Sequence, residues 1–301
     1  MNISRIKNYP YILLTLAVLF WAGNFILGRA FHNDIPPIAL AFWRWAIASL
    51  LIIGPAFRHL RRDWPEILRH WPAVLLLSAI GIAAFNTLAY SGLQYTQAIN
   101  AFLIQSLMPV MIVIFSFFIF GEKVRSIQAV GILVSLCGAA SIISRGQINV
   151  LFDLQFNRGD MMVLAAILCY AGYSVMLRKR PQVHPLSFIA VTFWLGTIML
   201  LPLYLWEHLT VRSLHPDTPT LLVICYVAIF PSIISYLCFN RGVELVGANR
   251  AGLFIHLMPV FGSLMAIIFL GENFLWYHAA GIGLIATGIC LATRGRVPRP
   301  S

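Results

Sequence analysis

Leu107-Met108-Pro109-Val110 recurs as Leu257-Met258-Pro259-Val260, the same four residues displaced by 150 positions. The displacement holds well outside the motif. Gly121-Glu122 falls on Gly271-Glu272, Gly131-Ile132 on Gly281-Ile282, Gly138 on Gly288, Gly92 on Gly242 and Ala98 on Ala248. A period of half the chain length means that one structural unit is written twice.

What kind of unit follows from composition. Of 301 residues, 60% are hydrophobic and only 10% charged, a balance outside that of ordinary soluble domains. Apolar stretches long enough to cross a hydrocarbon core of about 30 Å as helices recur throughout. Ten are expected, at 10–30, 36–57, 72–93, 99–120, 126–144, 159–178, 186–206, 219–241, 250–270 and 276–294. The expected fold is an all-α integral membrane protein whose ten transmembrane helices form two repeats of five, residues 1–145 and 155–296. Five is odd, so the second repeat enters the membrane from the opposite side. The two are then inverted about a pseudo-two-fold axis in the membrane plane.

Charge placement supports the count. The formal charge is +11, which in a soluble protein would suggest nucleic acid, but here position outweighs the sum. Of the 21 Lys and Arg residues, 16 fall in segments on the side of the N-terminus and four (Arg29, Arg145, Arg158, Arg212) on the other, with Arg44 inside a span. That bias predicts a multi-pass protein of the bacterial inner membrane with both termini cytoplasmic. The basic connection from Arg58 to Trp71 is expected to lie on anionic lipid headgroups, its tryptophans at the interface. The run from Tyr11 to Gly28 exceeds a signal-peptide core, so the first helix is expected to be retained. The five cysteines all lie in apolar spans without C-x-x-C spacing and read as small packing residues, not metal ligands.

The halves also share their openings, Phe20-Trp21-Ala22-Gly23-Asn24 against Cys169-Tyr170-Ala171-Gly172-Tyr173, at a displacement of 149. These openings, the arginine in the second span, and the paired Pro and Gly-Glu signatures together resemble the EamA family of the drug/metabolite transporter superfamily, over nearly the whole chain. The resemblance implies a ten-helix transporter, of a family whose members often export amino acids or other small metabolites. Family substrates are diverse, so the substrate does not transfer with the resemblance.

The residues that would carry transport can be read from the chain itself. Pro109 and Pro259 sit near mid-membrane and lack the N–H that would bond the carbonyls of Gln105 and Ile255, so both are expected to break their helices. Matching breaks in two halves point to a transporter's central site. Gln105 and Ser106 adjoin one break and His256 the other. Arg44 is the one Lys or Arg deep in a span; its charge must face carbonyls, a cavity or an anionic group of a substrate. His256 is a possible hydrogen-bond donor or proton acceptor. Asn24, Asn86, Tyr90, Tyr173, Ser235 and Tyr236 add neutral polar groups, serving either as interhelical bonds or as cavity lining. Trp21 and Tyr170, at equivalent positions, would give a site aromatic walls. Glu122 and Glu272 end spans after glycine and are expected to bond backbone N–H groups at the start of the next helix. No Asp or Glu lies at mid-span.

The expected function is export of small polar or zwitterionic metabolites by alternating access. Partners are then a small-molecule solute and membrane lipids, with no nucleic acid, metal or cofactor, and a monomer suffices because both repeats lie in one chain. The alternatives are a polytopic enzyme acting on lipid, or a channel. The chain has no D-x-x-x-D, G-x-S-x-G, H-E-x-x-H or P-loop to support an enzyme. A duplicated unit with mid-membrane breaks suits alternating access better than a fixed pore.

Overall fold

The computed structural model describes residues 9–147, 149, 150, 155–270 and 273–294. Among these there is no strand. Nine helices are long and apolar enough to cross a membrane: α1 (Pro10–Ala30), α2 (Pro37–Arg69), α3 (Trp71–Leu93), α4 (Ile99–Phe120), α5 (Ser126–Ile143), α6 (Arg158–Lys179), α7 (Pro185–Thr210), α8 (Thr218–Val246) and α10 (Trp276–Thr293). Between the last two, α9 runs through 248–270 as three helical segments in succession. The starts are set locally. Pro10, Pro37 and Pro185 occupy first-turn positions, where a missing N–H costs nothing. Asn157 and Asp160 form a capping box at the start of α6.

Two helices outrun their expected ends, for a shared reason. The Arg58 to Trp71 stretch is not a separate surface segment: α2 continues through it to Arg69, past Pro55 and Pro65, and Trp71 opens α3. Its 33 residues span about 50 Å at 1.5 Å each. The extension is held by Asp63, which is buried and accepts hydrogen bonds from the His184 backbone N–H (2.9 Å) and the Ser187 hydroxyl (2.8 Å) at the start of α7. Likewise α7 reaches Thr210, so Glu207, assigned by the sequence to a connector, lies within the helix and is buried. Its carboxylate accepts from the backbone N–H groups of Ile38 (3.1 Å) and Ala39 (2.6 Å). First-turn N–H groups have no partner inside their own helix, and a helix N-terminus favours negative charge. Each helix of the antiparallel α2–α7 pair therefore carries, towards its C-terminal end, an acid that caps the start of the other.

The packing obeys the inverted repeat. Gly131 of α5 packs on Gly288 of α10, and Gly138 on Gly281, so each contact is the image of the other under the 150-residue displacement. A Cβ added at Gly131 would stand 2.6 Å from the Gly288 carbonyl oxygen, and one at Gly138 2.8 Å from that of Gly281. These glycines set a close backbone crossing. Elsewhere Gly92 packs on Val163, and its counterpart Gly242 on Leu14. α3 and α8 each contain one π-helical turn, Ala79–Ala84 and Ile229–Ile234, again 150 residues apart.

Candidate substrate cavity

A π-helical turn leaves carbonyls out of register with their usual donors, and such turns recur at functional sites. Here both supply acceptors to the centre of the bundle. In α8 the Pro231 carbonyl accepts from Trp21 Nε1 (3.0 Å) and from Arg44 Nη2 (3.0 Å). Pro231 itself has no N–H for the Val227 carbonyl, which is bonded instead by the Ser232 hydroxyl at 2.7 Å. In α3 the Gly81 carbonyl, equivalent to that of Pro231, accepts from the Tyr236 hydroxyl at 2.5 Å.

Arg44 is the hub of this layer. It is 2% exposed. Nε donates to Ser232 Oγ (2.6 Å), while Nη1 has Asn24 Oδ1 (3.2 Å), Asn86 Oδ1 (3.0 Å) and Tyr90 Oη (2.9 Å) as acceptors. The guanidinium also lies 4.7 Å from the centre of the Trp45 ring. Tyr90 donates to Asn24 Oδ1 at 2.5 Å, and Asn86 Nδ2 to the Ile82 carbonyl at 2.8 Å. Thus α1, α2, α3 and α8 are joined through one side chain, and carbonyl and side-chain oxygens surround its charge.

The second half carries a neutral image of this cluster. Tyr173 donates to Asn240 Oδ1 at 3.0 Å. These positions are the equivalents of Asn24 and Tyr90, with the amide and the phenol exchanged. Tyr173 and Tyr236 are buried and pack with Trp21, Tyr170 and Phe239 in a continuous aromatic cluster.

Between the halves lies a small cavity of about 10 Å³, room for about one water molecule. Its lining includes three repeat-equivalent pairs, Trp21 with Tyr170, Gln105 with Ile255, and Met108 with Met258, which places it on the pseudo-two-fold axis. Phe25 and Phe85 add apolar wall, and Asn24 and Arg44 close one side. The Trp21 and Tyr170 rings meet edge to face, centres 5.4 Å apart. Two polar atoms in this wall, Gln105 Oε1 and the Tyr170 hydroxyl, are buried without a hydrogen-bond partner among the described residues. Buried polar atoms are ordinarily satisfied, so water or a bound molecule would be expected to supply these bonds.

The proline breaks stand directly behind this wall. Pro109 and Pro259 are both buried in protein. The carbonyl expected to be freed at Ile255 is not free: the chain tightens to a 3₁₀ turn over Phe254–Leu257, and Met258 N–H takes it. In the first half the carbonyl taken up across the interface is that of Ser106, one residue beyond Gln105, which accepts from His256 Nε2 at 2.8 Å. Ser106 and His256 are themselves 150 residues apart, so their bond also lies on the axis. The Ser106 hydroxyl turns back on the Phe102 carbonyl (2.9 Å), and His256 Nδ1 meets Ser135 Oγ at 2.7 Å.

Other expectations are redistributed. Glu122 does not bond the start of α5. Its carboxylate takes Arg178 Nη1 (2.7 Å) and Asn249 Nδ2 (3.2 Å), because two donors from the second half reach it at the membrane edge. Gly271 and Glu272 lie outside the described residues. Ser235 bonds the carbonyls of Ala17 and Phe230, tying α8 to α1. Cys137, Cys225 and Cys290 are exposed, not packed in the interior. Sequence reasoning passed over Ser232, Pro231 and Asn240 at the centre, and Asp160, which takes the Thr96 hydroxyl and Asn100 Nδ2 at the expected outer end. The 150-residue displacement from Tyr90 would have found Asn240; nothing in the sequence marks Ser232.

Comparison with known proteins follows the same division. The model of the EamA-like transporter family matches residues 8–144 and again 157–294. The chain belongs to the EamA-like transporter family. Within it, the chain is 26% identical to the uncharacterized transporter YyaM of Bacillus subtilis, over 94% of this chain and 93% of that protein. It is also 26% identical to an uncharacterized transporter of Archaeoglobus fulgidus, over 95% and 99%. A solved crystal structure superposes with a TM-score of 0.76 at 20% identity, covering 94% of this EamA-like chain and 96% of its own, a likeness of fold.

Proposed function

We propose that this EamA-like protein exports a small polar or zwitterionic metabolite, an amino acid or related compound, from the cytoplasm across the inner membrane. The observation that carries the reading is the cavity on the repeat axis, where Gln105 Oε1 and the Tyr170 hydroxyl lack partners among the described residues, beside a cationic side. Gln105 Oε1 accepts from an ammonium or amide, and the Tyr170 hydroxyl donates to a carboxylate or carbonyl. Arg44 Nη2 spends one of its two N–H groups on Pro231, and the other serves an anionic group of the solute. Trp21, Phe25 and Phe85 receive its apolar part. Rocking of residues 1–145 against 155–296, a monomer's two halves, then exposes the cavity to either side in turn. A site on the axis between inverted halves is what such motion requires, and a channel or lipid-modifying enzyme has no need of one.

The test is uptake into proteoliposomes of radiolabelled amino acids, nucleosides and cationic drugs, with wild type, Gln105→Leu and Tyr170→Phe. Each variant removes one bond to solute and is expected to weaken half-saturation about tenfold, the equivalent of one neutral hydrogen bond of about 1.4 kcal/mol. A solute transported equally well by both variants overturns the cavity as its site.

A further inference from the structure

We propose that His256 is the binding site of a coupling proton, exchanged for solute in each transport cycle. The proposal rests on the export reading and adds the driving ion. His256 is wholly buried at the second helix break, and both of its ring nitrogens are engaged. The Ser106 carbonyl can only accept, so Nε2 carries a hydrogen in every protonation state. Nδ1 is the variable position. In the neutral ring it accepts from the Ser135 hydroxyl. In the imidazolium it donates to the same oxygen at 2.7 Å, and the hydroxyl hydrogen turns to the Ile132 carbonyl, which already stands 3.0 Å away. Both protonation states are therefore fully bonded with no heavy atom moved, which a histidine needed only as a fixed strut does not require.

Among the described residues, the pocket does not provide a counter-charge. The titratable and charged side chains on the elements packed against this turn are Tyr11 and Arg29 on α1, Cys137 on α5, Arg250 within α9, and Tyr277, His278 and Cys290 on α10; α4 brings none from its second segment. None is a carboxylate. Tyr11 stacks on the neighbouring Phe254. An added proton here is thus disfavoured while the site is closed and favoured once the rocking halves admit water, which is the difference between states that coupling needs. Contact with the solute is direct through the chain. Gln105 and Ile255 line the cavity, and the next residues, Ser106 and His256, hold the proton site, so both ligands act on the same pair of helix breaks.

The experiment places an imposed pH difference across proteoliposomes, acid inside, with a solute found by the screen above. Wild type is expected to accumulate solute beyond equilibration, while His256→Gln equilibrates it without accumulation. Accumulation by His256→Gln equal to wild type overturns the proposal, as does a wild type indifferent to the pH difference. If His256→Gln fails to equilibrate solute at all, Ser135→Ala is read instead: loss of the Nδ1 partner should shift the pH of half-maximal transport, and an unchanged profile counts against the site. A readout without solute separates this proposal from the export reading. With ¹³C-labelled histidine in nanodiscs, the resonance absent from His256→Gln should shift reversibly with pH as the ring gains and loses its proton. A resonance that never titrates overturns the site even if transport is found.

Discussion

Replacing Arg44 separates the guanidinium's part in holding helices together from its part in holding an anion. Arg44 bonds reach α1, α3 and α8 from α2. In Arg44→Leu most of its acceptors keep one partner: Pro231 O retains Trp21 Nε1, Asn24 Oδ1 retains the Tyr90 hydroxyl, and Ser232 still donates to Val227. The loss is then close to that of one or two under-satisfied acceptors, about 2–3 kcal/mol, partly offset by no longer burying a charge. Arg44→Gln restores two N–H donors without the charge and should cost about 1–2 kcal/mol. Arg44→Lys keeps the charge but not the fork, and a point donor cannot serve Ser232 and Asn24 together. A poorly bonded buried charge costs more, about 3–5 kcal/mol. Unfolding in mixed detergent–SDS micelles should therefore rank the variants Gln, Leu, Lys from mildest to worst. Affinity for a carboxylate-bearing solute should rank Lys above Gln. Lys as the mildest variant in unfolding would refute the geometric account of the hub, and an affinity identical in Gln and wild type would remove Arg44 from the solute site.

Gly138→Ala should cost about 1–3 kcal/mol in the same unfolding assay, since its Cβ meets the Gly281 carbonyl at 2.8 Å; Gly283→Ala, whose Cβ meets nothing within 4 Å, should cost nothing. Glu207→Leu strips the caps from Ile38 and Ala39 at a cost of about 2–3 kcal/mol, and hydrogen exchange of those two amides should speed up while the centre of α2 stays protected; equal protection in the variant would contradict the reciprocal capping. From the basic asymmetry, a reporter fused after residue 301 should be active only in the cytoplasm, and activity in the periplasm would invert the topology.

Much of the architecture was open to reading because it is repeated. A single Pro or Gly-Glu is ambiguous, but Pro109 with Pro259, and Gly131 and Gly138 with Gly281 and Gly288, carry the displacement that defines the repeat and the helix crossing it builds. What stayed hidden was set by contacts distant in sequence. The end of α2 lies twelve residues beyond the end read from its apolar run, because Asp63 is held by the start of α7, a contact spanning more than a hundred residues. Glu207 looked like the first residue of a polar loop because a lone acid after an apolar run usually is one; only the bare N–H groups of Ile38 and Ala39 make it part of the helix. The π-helical turns have no shared residue pattern, Ala-Ile-Gly-Ile-Ala-Ala against Ile-Phe-Pro-Ser-Ile-Ile, so only backbone geometry shows that they correspond.

The centre shows how duplication yields a polar site without symmetry in its chemistry. Both halves keep a π-helical turn with a carbonyl turned inward, and both keep an amide–phenol pair beside it, Asn24 with Tyr90 and Tyr173 with Asn240. Where the first half adds Arg44, the second places Phe193 at the displacement of 149 that relates Trp21 to Tyr170, and Phe193 packs on Trp45 and Tyr236. A second arginine there would bury two like charges in one layer, each needing its own oxygens, and the layer's acceptors are already committed to the first. A charged side chain in one half and an aromatic one in the other therefore occupy repeat-equivalent places. On the proposed transport reading, a solute in the cavity would have Arg44 on one side and the rings of Phe85 and Tyr170 on another, an arrangement suited to a molecule with an anionic end and an apolar body. The repeat supplies the frame, and the residues that break it supply the asymmetry of its polar centre.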